Sequence, residues 1–249
     1  MATKKPNFFN SSKLIITDGE DDAHFIFSFL KKIDAQLLKS VHIHWVAGNT
    51  KLLSGNKFEP TENIGMMGLK HMITDPVFID NVKNVAVIFD AEQNAENSFK
   101  SIKSDFVSVN KLSNEPDQYR QKVIFNLPEK IGEFIAIPSQ KLNPNVAVFL
   151  FDKGDGTGIL EDLYLSTLSD EEKSVIDECV EQKLIGCLKT KPIYPINEQK
   201  IKVQSFLAFK DSSLKTIGYA ATEGKIDFNK SDSLLNPLKK FLLDFANLN

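Results

Sequence analysis

Arginine and cysteine are almost absent from this sequence. Its 249 residues include one arginine, Arg120, and two cysteines, Cys179 and Cys187. Bidentate guanidinium clamps on phosphate are therefore scarce, and lysine side chains would have to contact any phosphate group. The two cysteines lie in a helical stretch without a surrounding Cys/His cluster, so we expect reduced structural thiols rather than a zinc site or a disulfide.

Long apolar runs are missing as well. The N-terminal segment 1–13 is polar and lacks the apolar run of a signal peptide, and no later stretch is long enough to cross a bilayer. The formal net charge is -3, so binding of nucleic acid would require a local basic patch. The hydrophobic fraction of 42% suits a globular core. We expect a single cytoplasmic domain over residues 1–249, without membrane association.

Short apolar runs predict the strands. They occupy residues 14–17, 41–46, 84–89, 133–137 and 146–151. Helical patterns follow several of them, and Ile26, Phe29 and Leu30 have the spacing of one buried helix face. The alternation of strands and helices predicts an α/β fold whose mostly parallel sheet is flanked by helices. Residues 51–65 are turn-rich and predict an irregular loop, and residues 68–74 predict a short helix.

The C-terminal part is predicted to be helical. We expect a core over about residues 12–157 and a helical extension over about 158–249. One helix is predicted over residues 170–184, with Ser169 or Asp170 as its N-cap. Others are predicted over residues 203–209 and around Phe241, where apolar residues recur at helical spacing.

Three of the predicted strands end in a carboxylate: Asp18, Asp90 and Asp152. Sites in open α/β sheets form at the carboxyl ends of strands, and Mg²⁺ or Mn²⁺ prefers oxygen ligands. Asp22 and Glu92 follow closely, so Asp90, Glu92 and Asp22 are the predicted metal ligands. Asp18 is the predicted acid–base group or a further ligand. In the alternative interpretation, each acid only caps the helix that follows it.

The segment after the last predicted strand is glycine-rich and acidic. Asp152 and Glu161 are the candidates for a second metal position, with capping of the next helix as the alternative. The segment also resembles an EF-hand loop, but its ligand spacing is one residue short. Position twelve would be Leu163 rather than a bidentate glutamate, which excludes a calcium loop of that type.

Several of these segments together resemble TOPRIM domains. Residues 16–22, Ile-Thr-Asp-Gly-Glu-Asp-Asp, are similar to the TOPRIM strand with its Glu-Gly-x-x-Asp motif, and residues 88–92, Ile-Phe-Asp-Ala-Glu, resemble the later Asp-x-Asp motif. Residues 149–163 and the Gly-Tyr-Ala-Ala segment at 218–221 are similar to an uncharacterised, mainly prokaryotic TOPRIM-like group related to old-type nucleases. The resemblance covers nearly the whole chain.

The resemblance implies a Rossmannoid TOPRIM-like fold and Mg²⁺-dependent phosphodiester chemistry on nucleic acid, most simply as a nuclease. Asp18 takes the position of the catalytic glutamate, while Asp90 and Glu92 take those of the aspartate pair. Asp18 is one methylene shorter than the expected residue and Glu92 is one methylene longer. An inactive TOPRIM-like module that binds nucleic acid or a protein partner is therefore the alternative, and a small-molecule phosphohydrolase is a third.

The histidines and the lysine clusters are predicted to lie on the surfaces of strands and helices rather than in a catalytic site. His42 and His44 alternate with apolar residues and are predicted on one exposed strand face, and His24 is predicted on a helix surface beside the acidic turn. The lysine clusters at 31–32, 189–191 and 239–240 are predicted to be solvated helix faces. A cluster that flanked the acidic site would attract a phosphate backbone.

Overall fold

A computed structural model of the chain describes residues 12–46, 51–54, 57–60, 69–74, 78, 81–112, 123–135, 142–190, 197–230 and 234–248. The strands within these ranges are β1 (Lys13–Thr17), β2 (His42–Trp45), β3 (Lys51–Ser54), β4 (Lys57–Pro60), β5 (Asn84–Asp90) and β6 (Asn145–Phe151). They form one sheet in the order β4-β3-β2-β1-β5-β6.

Four strands of this sheet are parallel. β1 lies between β2 and β5 and is parallel to both, and β6 is parallel to β5. The continuously apolar β5 and β6 are buried on both faces, as expected for parallel strands covered by helices on each side, although β6 is the last strand of the described sheet. The prediction of an α/β fold with a parallel sheet flanked by helices is confirmed, and the four-stranded part is Rossmann-like.

Two strand predictions were wrong. Residues 51–54 and 57–60 form β3 and β4, an antiparallel pair joined to β2, instead of an irregular loop. Strands of four residues are too short to give a clear periodic pattern. Conversely, residues 133–135 form no strand, because Oε2 of Glu133 accepts the N–H groups of Glu129 and Lys130 at 2.9 and 3.0 Å and closes a turn. Residues 136–137 lie outside the described residues.

The helices are placed much as the sequence predicted. They are α1 (Glu20–Asp34), α2 (Leu69–Ile73), α3 (Ala95–Leu112), α4 (Leu160–Ser166), α5 (Asp170–Val175), α6 (Gly186–Lys189), α7 (Glu198–Lys210), α8 (Ile217–Thr222) and α9 (Leu235–Ala246). A π-helix, Ile176–Ile185, joins α5 to α6. Ser169 is the N-cap of α5, since its hydroxyl oxygen accepts the N–H of Glu172 at 3.2 Å. None of the helices in these ranges combines the length and apolarity needed to cross a bilayer.

Two apolar cores cover the two faces of the sheet. α1 packs on one face together with α4, α7, α8 and α9, so the helices after residue 158 share one core with the N-terminal part. α3 packs on the other face. The chain therefore leaves β1 toward one face and leaves β5 toward the other, and a crevice forms at the carboxyl ends of these adjacent strands.

β2 is more buried than the sequence predicted. His44 is only 5% exposed, and its Nδ1 lies 2.8 Å from the carbonyl oxygen of Trp45. The prediction of an exposed histidine face was wrong because β2 is an inner strand, between β1 and β3. Trp45, the single tryptophan, is fully buried and is paired in register with Thr17 at the end of β1.

A candidate acidic site at the carboxyl ends of β1 and β5

Asp18 and Asp90 lie at the ends of neighbouring strands. Thr17 of β1 is in register with Ile88 of β5, so both chains leave the sheet at the same edge. The two aspartates line one cleft of about 190 Å³ together with Glu92. The rest of the lining consists of Phe89 and four residues of α3: Ser98, Ser101, Ile102 and Asp105. Three of the predicted site residues are therefore brought together.

Asp90 is the most enclosed acid of this cleft. Its Oδ1 accepts a hydrogen bond of 3.0 Å from the backbone N–H of Leu160, at the start of α4. The pKa of Asp90 is raised to about 7: burial is the largest cause, and the neighbouring carboxylates Glu161, Glu92 and Asp18 add to it, against the lowering effect of that hydrogen bond. At neutral pH this carboxyl therefore exchanges readily between its protonated and ionised forms.

Glu92 has an uncommon backbone conformation, with φ at 54°. Its N–H donates to the carbonyl oxygen of Gly158 at 2.9 Å, and its carbonyl oxygen accepts the N–H of Gly158 at 3.0 Å. A Cβ at Gly158 would stand 2.5 Å from the carbonyl oxygen of Phe151, so only glycine fits there. These contacts join the loop after β5 to the loop after β6 and fix the backbone of Glu92 at the rim of the cleft.

Asp18 lies at the cleft mouth, where the residue as a whole is exposed while its carboxylate is partly desolvated. Packing around its carboxylate raises its pKa, and the positive charge of Lys200 has the opposite effect. The hydroxyl of Thr17, directly before it, donates to the carbonyl oxygen of Gly19 at 3.1 Å. Asp18 therefore emerges from a closed turn, where its carboxylate faces both water and the neighbouring acids.

Asp22 stands behind the cleft, and it is not among the residues that line it. Its Oδ2 accepts the N–H of Gly19 at 2.8 Å, which satisfies a backbone donor at the start of α1. Burial raises its pKa well above the ordinary value, with Asp90, Asp21 and Asp18 contributing in the same direction. Helix capping accounts for this contact, and the role of Asp22 as a metal ligand stays a prediction.

The predicted second metal pair is divided. Asp152 is exposed, and its Oδ1 accepts the N–H groups of Gly154 and Gly156 at 2.7 and 3.0 Å, within its own turn. Glu161 belongs instead to the acidic cluster: burial raises its pKa, and its charge in turn raises the pKa of Asp90. Asp152 does not line the cleft, so its part in a second metal position also stays a prediction.

One cation of the site comes from a distant part of the chain. Lys200 lies in the first turn of α7 and lowers the pKa of both Asp18 and Glu161. Its neighbour Gln199 donates to Oδ1 of Asp162 at 2.9 Å, which ties α7 to α4. No motif or spacing in the sequence identifies Lys200, because only the packing of α7 brings it here.

The polar residues of α3 were also missed. Ser98, Ser101 and Asp105 follow one another at steps of three and four, the spacing of one helix face. A polar stripe beside the apolar face of the helix was the sequence signal that could have identified these cleft residues. A helix with an ordinary solvated surface shows the same pattern, so the signal is not specific.

The donor chemistry of the cleft fits a hard divalent cation. Asp18, Asp90 and Glu92 all offer carboxylate oxygens, and a bound cation would relieve their repulsion. Within the described residues, no three His, Cys, Asp or Glu side chains are arranged to enclose a metal ion. Mg²⁺ needs only one or two carboxylates when water and a substrate phosphate complete its shell, so the residues fit a cation shared with substrate.

Fold and site together define an α/β protein with a Rossmann-like parallel sheet and an acidic crevice where the strand order reverses. Residues 12–247 match the family described as "Protein of unknown function (DUF3226)", and the chain belongs to that family. The comparisons with curated proteins and with solved structures found no match.

Proposed function

We propose that the protein is a TOPRIM-like, Mg²⁺- or Mn²⁺-dependent enzyme that hydrolyses phosphodiester bonds of nucleic acid, and thus acts as a nuclease. The observation that carries this proposal is the shared cleft of Asp18, Asp90 and Glu92 at the ends of two adjacent parallel strands. The motif order of TOPRIM domains supports it. Free, exposed Cys179 and Cys187 suit the reducing cytoplasm, where we place the protein.

Asp90 and Glu92 would hold the metal ion. Asp22 supports them, and Glu161, whose charge acts on Asp90, is the candidate for a second ion, with Asp152 as its predicted partner. A divalent cation bound here polarises a phosphoryl oxygen and lowers the pKa of water. The chain's own contribution is to orient the carboxylates through the Leu160 contact to Asp90 and the Gly158 contacts to Glu92.

Asp18 is the acid–base group of the proposed reaction. A water oxygen forms a bond to phosphorus, and the bond from phosphorus to one ester oxygen breaks. The carboxylate of Asp18 takes the proton that the water loses, and the released ester oxygen takes a proton from solvent. The raised pKa of Asp18 suits it to accept that proton, because burial penalises its charged form. Lys200 opposes this shift, because its positive charge lowers the same pKa.

Nuclease assays test this proposal. Purified protein is incubated with plasmid and with single-stranded DNA or RNA in Mg²⁺ or Mn²⁺, beside the variants Asp90→Asn and Asp18→Asn. We expect each variant to lose at least about a hundredfold in cleavage rate. Asp244→Asn, an exposed aspartate of α9, is the matched control and keeps the wild-type rate. Equal cleavage by Asp90→Asn and wild type would remove the acidic cleft from the mechanism.

The alternative is a TOPRIM-like module that binds without catalysis. Asp18 is shorter than the glutamate of the TOPRIM pattern, and a shift of about 1 Å in a proton-transfer group can cost about a hundredfold in rate. Binding of nucleic acid or of a protein partner without turnover in either metal would favour this alternative. Hydrolysis of nucleotides but not of polymers would instead favour a small-molecule phosphohydrolase.

A further inference from the structure

A second groove, of about 570 Å³ against about 190 Å³ for the acidic cleft, lies along α3. Residues 129–131 form its other wall. Its lining consists of Glu96, Phe99, Lys100, Lys103, Ser104, Val107, Glu129, Lys130 and Ile131. It therefore holds three lysines and two glutamates, whereas the cleft holds four carboxylates and no lysine among its lining residues.

The groove and the cleft lie on opposite flanks of the same helix. At 3.6 residues per turn, the cleft residues Ser98 and Asp105 point about half a turn away from the groove residues Lys103 and Val107. The buried stripe of α3, which includes Ile102, packs on the sheet between the two. α3 is thus a ridge about 10 Å wide that separates an acidic cleft from a basic groove.

The solvent-facing side of α3 carries small, uncharged side chains where the helix separates the acidic cleft from the groove. Asn97, Ser101 and Ser104 are exposed there, and Ser101 lines the cleft while Ser104 lines the groove. Amide and hydroxyl groups can donate to phosphate and sugar oxygens. A polyanion crossing the ridge would meet hydrogen-bond donors and no carboxylate at these three positions.

Two of the three groove lysines are held in position by contacts and keep donors for a ligand. Nζ of Lys103 donates to the carbonyl oxygen of Pro128 at 2.8 Å and lies 5.0 Å from the centre of the Phe99 ring. Nζ of Lys100 lies 2.7 Å from Oε1 of Glu96. An ammonium group has three donors, so each of these contacts leaves capacity for a phosphate oxygen.

Two large apolar side chains in the groove face solvent. Val107 is 37% exposed and Ile131 is 39% exposed. Such surfaces gain little from a duplex, whose bases are stacked inside, but they can pack against unpaired bases. A duplex is also stiff over about 150 base pairs and would not bend across a ridge about 10 Å wide. Charge, apolar contact and shape therefore favour a flexible single strand.

We propose that an unpaired segment of nucleic acid, continuous with the phosphodiester in the acidic cleft, crosses α3 and binds in the groove of Lys100, Lys103, Lys130, Val107 and Ile131. This inference rests on the proposed function and specifies its substrate as single-stranded nucleic acid. The protein thus binds its substrate mainly at the basic groove, because the acidic cleft alone repels phosphate.

Fluorescence anisotropy tests the groove separately from catalysis. Labelled single-stranded and duplex oligonucleotides are titrated with the Asp90→Asn protein in EDTA, with Lys100→Gln/Lys130→Gln and Ile131→Ser each added to that background. The lysine pair should weaken single-strand binding about tenfold and flatten the salt dependence by about 0.7 per lost contact. Ile131→Ser should weaken it severalfold at an unchanged salt dependence, because it removes only apolar contact.

Lys239→Gln/Lys240→Gln, an exposed pair on α9, is the matched control and should bind as the parent does. The inference is overturned if the parent does not bind single strands, if it binds duplex equally well, or if the control pair weakens binding as much as the groove pair. Circular dichroism melting checks that each variant is folded. Groove-dependent binding without any cleavage would leave the inference standing and remove the nuclease proposal.

Discussion

The backbone N–H of Leu160 donates a 3.0 Å hydrogen bond to Oδ1 of Asp90, across 70 residues of sequence. Asp90 therefore satisfies a donor at the start of α4 while it also lines the acidic cleft. Helix capping and site formation, which were alternatives for the sequence, are combined in one carboxyl group. This hydrogen bond orients the carboxyl group of Asp90, while burial and the neighbouring acids raise its pKa.

Replacement of Asp90 by asparagine should make the protein more stable at high pH. The pKa of Asp90 is raised from 3.8 to about 7, so the folded state binds this proton more tightly than the unfolded state does. The associated stability is fully present below about pH 4 and is lost as pH rises through about 7. Asparagine cannot ionise, and its carbonyl oxygen can still accept from Leu160.

We expect Asp90→Asn to exceed wild type by about 1–3 kcal/mol in free energy of unfolding at pH 8, after allowance for solvent screening. The difference should be small at pH 5. Urea denaturation at both pH values provides the measurement, with Asp244→Asn as the control that follows wild type. A variant that is less stable than wild type at pH 8 would contradict the raised pKa.

Binding of Mn²⁺ should weaken as the solution becomes more acidic. Below about pH 7 a cation must displace the proton of Asp90, so the apparent affinity should fall about tenfold per pH unit. Isothermal titration calorimetry in buffers of different ionisation enthalpy measures both the affinity and the proton released. Glu92→Gln should abolish binding, and Glu96→Gln, an exposed residue in the first turn of α3, should not. An affinity independent of pH would place the cation elsewhere.

Glycine in place of Glu92 should stabilise the fold and abolish activity. Glu92 has a φ of 54°, which costs a non-glycine residue about 1–2 kcal/mol and costs glycine almost nothing. Glu92→Gly should therefore raise the free energy of unfolding by about 1 kcal/mol while it removes a proposed metal ligand. Glu96→Gly, in the first turn of α3, should instead lower stability. If Glu92→Gly lowered the free energy of unfolding, the contacts of the Glu92 side chain would stabilise the fold by more than its backbone conformation destabilises it.

Alanine at Gly218 should disrupt the packing of α8 against α1. Its Cβ would lie 2.4 Å from the carbonyl oxygen of Asp21 and 2.7 Å from Cβ of His24. The N–H of Gly218 also donates to Oδ1 of Asp21 at 2.7 Å, so the helices cannot separate without losing a hydrogen bond. We expect Gly218→Ala to cost about 2–4 kcal/mol in urea denaturation. Gly186→Ala, with only an ordinary contact at 3.7 Å, should be neutral or stabilising.

Removal of the Lys200 charge should raise the pKa values of Asp18 and Glu161. Lys200 lowers both, so glutamine at this position removes one of the effects that oppose burial. Carboxyl carbon chemical shifts followed by NMR during a pH titration measure the change. Lys202→Gln is the matched control on the same helix, since Lys202 pairs with Glu181 at 2.6 Å and does not act on the cleft acids. Unchanged titration of Asp18 in Lys200→Gln would contradict this assignment.

The sequence predicted the strands that are buried on both faces and the acids that follow them. Continuous apolar runs such as β5 are unambiguous, and parallel strands bring their carboxyl ends to one edge. The meeting of Asp18 with Asp90 could therefore be expected from local patterns and one topological rule. The helical C-terminal part, including the Ser169 cap, was also predicted from local patterns.

The features that were missed depend on tertiary contacts. His44 alternates with apolar residues as an exposed residue would, and only its position on an inner strand buries it. Lys200 has no local signal because α7 is positioned by the Gln199 contact to Asp162. The turn at Glu133 is closed by side-chain hydrogen bonds that outweigh its strand-like composition.

The fully buried Trp45 is an intrinsic fluorescent probe of this protein. It is the single indole of the chain, and it is paired in register with Thr17, the residue that precedes Asp18. Its ultraviolet emission comes from one known place at the sheet edge, with no second indole to obscure it. A small rearrangement of that edge and complete unfolding should therefore give separate changes in emission wavelength, in unlabelled protein.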